Sequence, residues 1–258
     1  MAGLFWAMLL ASFEFAPATG RVGSMLAGAA VTEWQSSFCL NPALAGHAEQ
    51  YFAGATYCRP YGLAGLDWFH AGIGTNQGRW SGGVSIGSLS LDRYRETEIR
   101  LEVAAVPVAS LALGAAARTL INDAERRGTD VVGAFDIGAC WHQGTFGFGG
   151  VASAVNEPVF DSGDKKPLQL VLGAALRPVE QLLLALDVRR TGPDEGAAFG
   201  IEFNLVPPLD LRVGIGYEPL VYATGVGLHV SPVSVDYAYR FHPQLKETHV
   251  VGLALQWR

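Results

Sequence analysis

The sequence is poor in charge and has no long hydrophobic run. Only 16% of its 258 residues are charged, whereas 50% are apolar. No uninterrupted apolar run reaches the roughly 18 to 20 residues that a membrane-spanning helix requires. Only helices and closed β-barrels satisfy all backbone hydrogen bonds inside lipid. For an apolar chain with 32 glycines and no spanning helix, a closed β-barrel is the structure that remains.

The chain also lacks a basic excess and a cysteine framework. Its net charge of -6 argues against a nucleic-acid partner, because phosphates demand a basic face. The three cysteines, Cys39, Cys58 and Cys140, are too few and too scattered for a disulfide framework or a zinc site. We expect the cysteines to be unpaired and to pack as small hydrophobic residues. A disulfide between Cys39 and Cys58 is the alternative in an oxidising compartment.

Patterns of catalysis and metal binding are missing as well. No serine has a nucleophile-elbow pattern, and the glycine-rich stretch 146–150 is not followed by the Lys-Ser or Lys-Thr of a phosphate loop. No paired metal spacing links the five histidines after residue 50, which lie on different segments: His70, His142, His229, His242 and His249. The sequence therefore predicts no enzyme, no metal and no cofactor.

Short alternating segments fill the chain from about residue 50 onward, separated by clusters of glycine, proline, asparagine and charge. In 233–241 the odd positions are apolar or aromatic, and the even positions are small or charged. Strict alternation of this kind predicts a β-strand. Along the whole chain the pattern gives about fourteen strands of the roughly ten residues expected of membrane barrels.

The composition of the two strand faces indicates which face meets lipid. One face is almost purely leucine, valine, isoleucine and aromatic, and the other is mostly glycine and alanine with isolated charges of both signs. A soluble barrel would carry a second face rich in lysine, glutamate, threonine and serine. We therefore predict an all-β fold, a closed antiparallel transmembrane β-barrel of about 14 strands with an N-terminal plug segment. A large soluble β-sandwich is the alternative.

The N-terminal region is predicted to divide into two parts. Residues 1–18 contain the apolar stretch GLFWAMLLA followed by Ala16-Pro17-Ala18, which predicts an export signal with a small-x-small cleavage site. No lysine or arginine precedes the apolar stretch, so a buried strand or plug element is the alternative. Residues 19–49 show no sustained alternation and are predicted to form the plug, with the barrel in 50–258.

Charges on the glycine-rich face are predicted to lie in the lumen. Because both signs are interleaved, we interpret them as ion pairs between neighbouring strands that rigidify the barrel and hold the plug. A polar transport path is the alternative, although a dedicated ion path should show one sign. The predicted lumen charges are Arg118, Asp136, Arg177, Asp187, Arg189, Glu202, Arg212, Glu218, Asp236 and Arg240.

One stretch before the first strand resembles the FadL-like outer-membrane barrels, and more closely the PorV/PorQ proteins linked to type IX secretion. This stretch, GRVGSMLAGAAVTEWQSSFCLNPALAG at 20–46, contains the motif Asn41-Pro42-Ala43. The resemblance implies that the motif belongs to a plug at the periplasmic mouth. Asn-Pro is also a turn starter, and alanine allows close packing inside a narrow lumen.

A second stretch is similar to the penultimate hairpin of the PorV/PorQ proteins. It runs from Asp236-Tyr237-Ala238-Tyr239 through a polar turn to Thr248-His249. The C-terminal residues also resemble the signal read by the barrel-assembly machinery, with Gly252, Leu255 and Trp257 as its elements. The resemblance implies fourteen strands and a place in the bacterial outer membrane.

The resemblance implies a non-enzymatic barrel that serves protein secretion or partner docking. A passive FadL-like channel for hydrophobic small molecules is the alternative, and a purely structural barrel is a third. We prefer secretion because an uptake channel should have apolar lumen side chains, whereas the predicted lumen is glycine, alanine and charge. The predicted partners are outer-membrane lipid, the barrel-assembly machinery during biogenesis, and secretion-system proteins or cargo.

Overall fold

Fourteen antiparallel strands form one closed barrel, in which each strand pairs with its neighbours along the chain and β1 pairs with β14. The computed structural model describes residues 19–31, 34–125 and 128–258, so the predicted export signal lies outside the described residues. The predicted closed barrel is confirmed. The strands are β1 (Tyr51–Arg59), β2 (Leu66–Asn76), β3 (Trp80–Leu91), β4 (Tyr94–Val108), β5 (Leu111–Ala124), β6 (Gly128–Gln143), β7 (Phe146–Ser153), β8 (Gln169–Val179), β9 (Leu182–Thr191), β10 (Asp194–Val206), β11 (Leu209–Tyr217), β12 (Val221–Val230), β13 (Val233–His242) and β14 (Lys246–Trp257).

The apolar face of the strands points outward. In β13 the side chains of Val233, Val235 and Tyr237 are exposed, whereas Asp236 and Ala238 are buried. Every strand exposes at least one large apolar or aromatic side chain in this way. A soluble barrel would bury that face, so the exposed apolar surface indicates a barrel built to stand in lipid.

The two ends of the barrel differ in their connections. At the end where β1 begins and β14 finishes, here called the terminal end, the hairpins turn within two or three residues. The opposite end, here called the loop end, carries the long connection 154–168. Short turns at one end and a longer loop at the other are typical of transmembrane β-barrels.

Aromatic residues mark the terminal end. The rings of Tyr51 and Trp257 stack with centroids 5.8 Å apart, and those of Trp141 and Phe148 stack at the same distance. Such rings suit the boundary between lipid and water. Of the proposed assembly signal, Gly252 is buried, Leu255 is half-buried and Trp257 is exposed; its recognition by the assembly machinery stays a prediction.

The chain before β1 forms short helical elements. The α-helix α1 (Gly20–Met25) is followed by 3-10 helices at Trp34–Phe38 and Pro42–His47, and a further 3-10 helix, Pro60–Gly62, lies between β1 and β2. We call residues 19–48 the N-terminal segment; most of its described residues are buried and the others are half-buried. Among the described residues no helix is both long and apolar enough to cross a membrane.

No disulfide joins any of the three cysteines, all of which belong to the described part of the chain. Cys58 is buried on β1, and Cys39 is half-buried in the N-terminal segment. The Cys39–Cys58 bridge considered from the sequence is therefore not formed in this structure.

Candidate functional site

The N-terminal segment lies inside the barrel, where the inward face of the strands is glycine. A Cβ atom added at Gly149 would lie 1.9 Å from the carbonyl oxygen of Ala29, and one added at Gly138 would lie 2.1 Å from Asn41 Oδ1. Side chains larger than hydrogen would overlap the segment at both places. The glycines of the wall thus provide the space that the segment occupies.

Asn41 fixes the middle of the N-terminal segment. Its Oδ1 accepts a hydrogen bond from the backbone N–H of Ala43 at 3.1 Å and so caps the second 3-10 helix. Its Nδ2 donates to the carbonyl oxygens of Ala29 at 3.0 Å and of Ala139 in β6 at 3.1 Å. Pro42 begins the helix, where the missing N–H costs no hydrogen bond. The Asn-Pro-Ala motif therefore joins two parts of the segment to the wall.

Two strands hold the loop that follows α1. The backbone N–H groups of Gly28 and Ala29 donate to Asp187 Oδ2 of β9 at 2.7 and 3.0 Å. On β6, His142 Nε2 lies 2.8 Å from the carbonyl oxygen of Ala30. A carboxylate that accepts two backbone N–H groups makes stronger hydrogen bonds than a neutral acceptor would.

The first buried charge cluster, the Arg212 cluster, consists of Arg21, Glu202, Asp210, Arg212 and Asp236. Arg212 Nε donates to Glu202 at 2.7 Å, Nη2 donates to Asp210 at 3.1 Å, and Nη1 pairs with Asp236. The Arg212 side chain has no exposed surface. Three carboxylates around one guanidinium explain how so many charges are buried together, since each carboxylate has a cationic partner.

The second buried cluster, the Arg100 cluster, consists of Glu98, Arg100, Glu102, Arg118 and Asp136. Asp136 accepts from Arg100 Nη1 at 2.6 Å and from Arg118 Nη2 at 2.8 Å. Arg100 Nε donates to Glu102 at 3.2 Å, and Arg118 Nη1 donates to Glu98 at 3.1 Å. These pairs join β4, β5 and β6 across the inward face.

Two side chains of the N-terminal segment extend these clusters. Arg21 of α1 makes two hydrogen bonds to Glu202, with Nε and Nη2 at 2.7 and 2.6 Å from its carboxylate oxygens. The hydroxyl of Ser37 donates to Glu102 Oε1 at 2.5 Å. Each cluster thus connects the segment to the wall, at opposite sides of the barrel.

The structure places most of the ten predicted lumen charges inside the barrel. Arg118, Asp136, Glu202, Arg212 and Asp236 belong to the two clusters, and Asp187 binds the loop after α1. The two remaining inward charges, Arg189 and Arg240, are half-buried.

The prediction is wrong for two of the ten charges, Arg177 and Glu218. Arg177 is exposed at the end of β8, beside a register shift, and its Nη1 donates to the carbonyl oxygen of Glu180 at 3.1 Å. Glu218 is exposed in the turn between β11 and β12. Alternation assigns a side chain to a face but does not locate the end of a strand, and both residues lie where the lumen has ended.

Sequence reasoning missed five members of the clusters: Arg21, Glu98, Arg100, Glu102 and Asp210. For β4 the signal was available, because the charged positions alternate with the outward Ile99, Leu101 and Val103. Asp210 likewise shares a face with Arg212. Arg21 belongs to no strand, so no alternation could have indicated its role.

A cavity of about 80 Å³ lies at the loop end, directly above the N-terminal segment. Phe38 of the segment forms part of its floor, and Trp68, His70 and Leu89 contribute to its wall. The rings of Trp68 and His70 stack with centroids 5.7 Å apart and planes at 4°. From the sequence we expected a lumen lined only by glycine, alanine and charged residues. The aromatic side chains at this cavity show that this expectation is incomplete.

The remaining lining of the cavity is polar. The Arg100 cluster lies beside the aromatic wall, and residues near the start of β8 complete the rim. The cavity thus combines a flat aromatic surface with a charged side. The polar lining residues outside the cluster include Glu96, Ser88, Ser153, Lys166 and Gln169.

Comparison with known proteins relates this barrel to solved structures. No protein-family model and no curated protein matches the chain. The Ralstonia pickettii toluene transporter TbuX is similar with a TM-score of 0.71 and 13% identity, over 95% of this chain and 100% of that one. The CymD monoaromatic hydrocarbon channel gives 0.73 and 12% identity over 96% and 99%. A Pseudomonas aeruginosa FadL homologue gives 0.64 and 12% over 92% and 97%.

At these identities the similarity establishes the fold, which is that of the FadL-like 14-stranded outer-membrane barrels. Together with the apolar exterior, this fold defines the chain as a transmembrane β-barrel of the bacterial outer membrane. The finer resemblance to the PorV/PorQ proteins finds no support in these structures, which are those of a transporter, a channel and a FadL homologue.

Proposed function

We propose that the protein is a passive outer-membrane channel for hydrophobic small molecules, closed at rest by its N-terminal segment acting as a plug. The observation that carries the proposal is the loop-end cavity, whose aromatic wall lies directly above that segment. A planar apolar ligand would suit this wall, because aromatic rings such as those of Trp68 and His70 pack well against one another. The names of the similar structures TbuX and CymD support the same ligand class.

The size of the cavity implies that it must widen to hold a ligand. A cavity of about 150 Å³ in another protein accepts benzene, whereas this one measures about 80 Å³. Its floor includes Phe38, which belongs to the N-terminal segment and not to the barrel. Movement of the segment would therefore enlarge the cavity without breaking the strand pairing.

Passage across the barrel also requires the segment to move. Each described strand is hydrogen-bonded to both neighbours, so the wall itself is closed. The segment is held by polar bonds, among them Arg21 to Glu202 and Ser37 to Glu102, and by apolar packing of Trp34 and Phe38 against Phe52 of β1. Opening would admit water to these groups, and water would replace the hydrogen bonds that the segment gives up.

Secretion or partner docking is the weaker candidate. A docking surface would be expected in the loops outside the membrane, but apart from 154–168 the loop-end connections of the described chain are short. The Asn41-Pro42-Ala43 motif has a packing role inside the barrel, as described above. We therefore propose the channel as the main function.

The proposal is tested by measuring the accumulation of labelled toluene in intact bacteria that lack a channel of this kind. Cells producing the wild type should accumulate toluene faster than cells with an empty vector. Trp68→Ala removes the aromatic wall and should abolish most of this gain. Trp80→Ala is the matched control. Trp80 is the first residue of β3, lies at the terminal end and is 67% exposed, so this variant should accumulate toluene as fast as the wild type.

Heat-modifiable migration on gels would verify that each variant is assembled in the membrane. If the assembled wild type gives no faster accumulation than the vector, the channel proposal is wrong. Equal accumulation with Trp68→Ala and wild type would show that the cavity is not on the route.

A further inference from the structure

Three side chains that can bind a metal ion meet where the N-terminal segment reaches the terminal end of β6. His47 is the last residue of the second 3-10 helix, and Cys140 and His142 occupy successive inward positions on β6. One ligand atom from each lies within 4.8 Å of the others. Cys140 Sγ and His142 Nδ1 are 3.4 Å apart. No spacing in the sequence indicates this site, because His47 is distant along the chain from Cys140 and His142.

The hydrogen bonding of the two imidazoles prepares them for a metal. His142 Nε2 lies 2.8 Å from the carbonyl oxygen of Ala30, so the neutral ring donates its Nε2–H there and turns the Nδ1 lone pair toward Cys140. A backbone acceptor on the second ring nitrogen is what orients histidine ligands in known metal sites. His47 Nε2 is buried and has no hydrogen-bond partner within the described part of the chain.

An unpaired ring nitrogen inside a protein needs an explanation, since buried polar atoms are almost always satisfied. A metal ion between the three side chains would provide one. Two imidazoles and a thiol favour Zn²⁺ over Mg²⁺ or Ca²⁺, which prefer oxygen ligands. Tetrahedral zinc places a sulfur and a nitrogen ligand roughly 3.5 Å apart, which agrees with the 3.4 Å between Cys140 Sγ and His142 Nδ1.

We propose that His47, Cys140 and His142 bind one Zn²⁺ ion, which fastens the N-terminal segment to β6 in the resting position that this structure shows. When the Sγ–Zn bond forms, the Cys140 thiol releases its proton to solvent, and a water molecule fills the fourth position. Because His47 belongs to the segment and the other two ligands belong to the wall, the ion cross-links them. The site requires a shift of the His47 ring toward the other two ligands, which its place at the end of a short helix allows.

The test measures Zn²⁺ binding to the full-length protein in detergent by equilibrium dialysis and elemental analysis. The wild type should bind one Zn²⁺ per chain. Cys140→Ser and His47→Gln each remove a direct ligand and should weaken binding by more than the roughly 10- to 100-fold that the loss of an outer-shell partner costs. Cys58→Ser is the matched control, because Cys58 is equally buried at 1% but lies on β1 outside the cluster.

Cobalt substitution gives an independent readout. Co²⁺ bound to the wild type and to Cys58→Ser should show a near-ultraviolet thiolate-to-cobalt charge-transfer band, which Cys140→Ser should lack. Heat-modifiable migration would verify that all variants are folded. A wild-type protein that binds no Zn²⁺, or a Cys140→Ser variant that binds it as tightly as the wild type, would overturn the site. The readout is metal binding, so the outcome does not depend on the proposed channel function.

Discussion

Removal of the Arg212 guanidinium should strongly destabilise the barrel. The side chain is fully buried and pairs with Glu202, Asp210 and Asp236. Arg212→Met keeps most of the volume but leaves three carboxylates with Arg21 as the remaining arginine in the cluster. Breaking a buried ion pair by removing one partner costs about 3 to 5 kcal/mol, and we expect a loss of this size in the free energy of unfolding.

The assay is urea unfolding in lipid vesicles, followed by tryptophan fluorescence. Arg190→Met is the matched control. The Arg190 side chain is 63% exposed, and its Nη1 lies 4.0 Å from Glu195 Oε1. Exposed pairs contribute about 0 to 1 kcal/mol, so this variant should unfold like the wild type. A loss of less than about 1 kcal/mol for Arg212→Met would refute the idea that the cluster stabilises the barrel.

Three further predictions concern the outward face and the plug. Leu101→Arg, at the midpoint of β4 and 61% exposed, should cost about 2 to 4 kcal/mol in vesicles, whereas Val108→Arg at the strand end should cost about 0 to 1 kcal/mol; equal costs would contradict a lipid-facing surface. Deletion of residues 19–46 should leave an assembled barrel with higher conductance in planar bilayers, and unchanged conductance would contradict a plug. Gly149→Val, whose side chain would overlap the Ala29 carbonyl, should raise conductance with the barrel intact; the wild-type value would show that the segment does not need that space.

The barrel and its faces could be predicted because alternation is a local property. The segment 233–241 is strand Val233–His242 in the structure, with its odd positions outward as its composition indicates. Each strand carries this signal by itself. The outward side chains of every strand contact lipid, so their placement does not depend on a particular partner residue.

The interior was less predictable because it depends on contacts between distant residues. The Arg100 cluster requires the register of three strands, and the bond from Ser37 to Glu102 requires the position of the N-terminal segment as well. The aromatic wall at Trp68 and His70 lies on a strand with a weak alternation signal. The Arg100 cluster is therefore not written in any one stretch of sequence, and the aromatic wall is written in one whose pattern is weak.

The secretion role inferred from the terminal motifs shows the limit of short motifs. Asn41-Pro42-Ala43 forms a capped 3-10 helix that packs the N-terminal segment against β6. The motif thus serves to pack the segment inside a glycine-lined barrel. This packing role carries no information on what the barrel transports or binds.

The central claim, that the N-terminal segment must move for a hydrophobic molecule to pass, is tested most directly by tying the segment to the wall. A Cβ atom at Gly23 would lie 3.5 Å from the Cβ of Ala238, within the roughly 3.5 to 4.5 Å of a disulfide. Gly23→Cys with Ala238→Cys, in a background with the native cysteines changed to serine, should form that bond on oxidation, as mass spectrometry can verify. The account predicts that cells with the oxidised protein accumulate toluene no faster than cells with an empty vector. A reductant should restore the wild-type rate of accumulation. Equal rates for the cross-linked and reduced protein would contradict it.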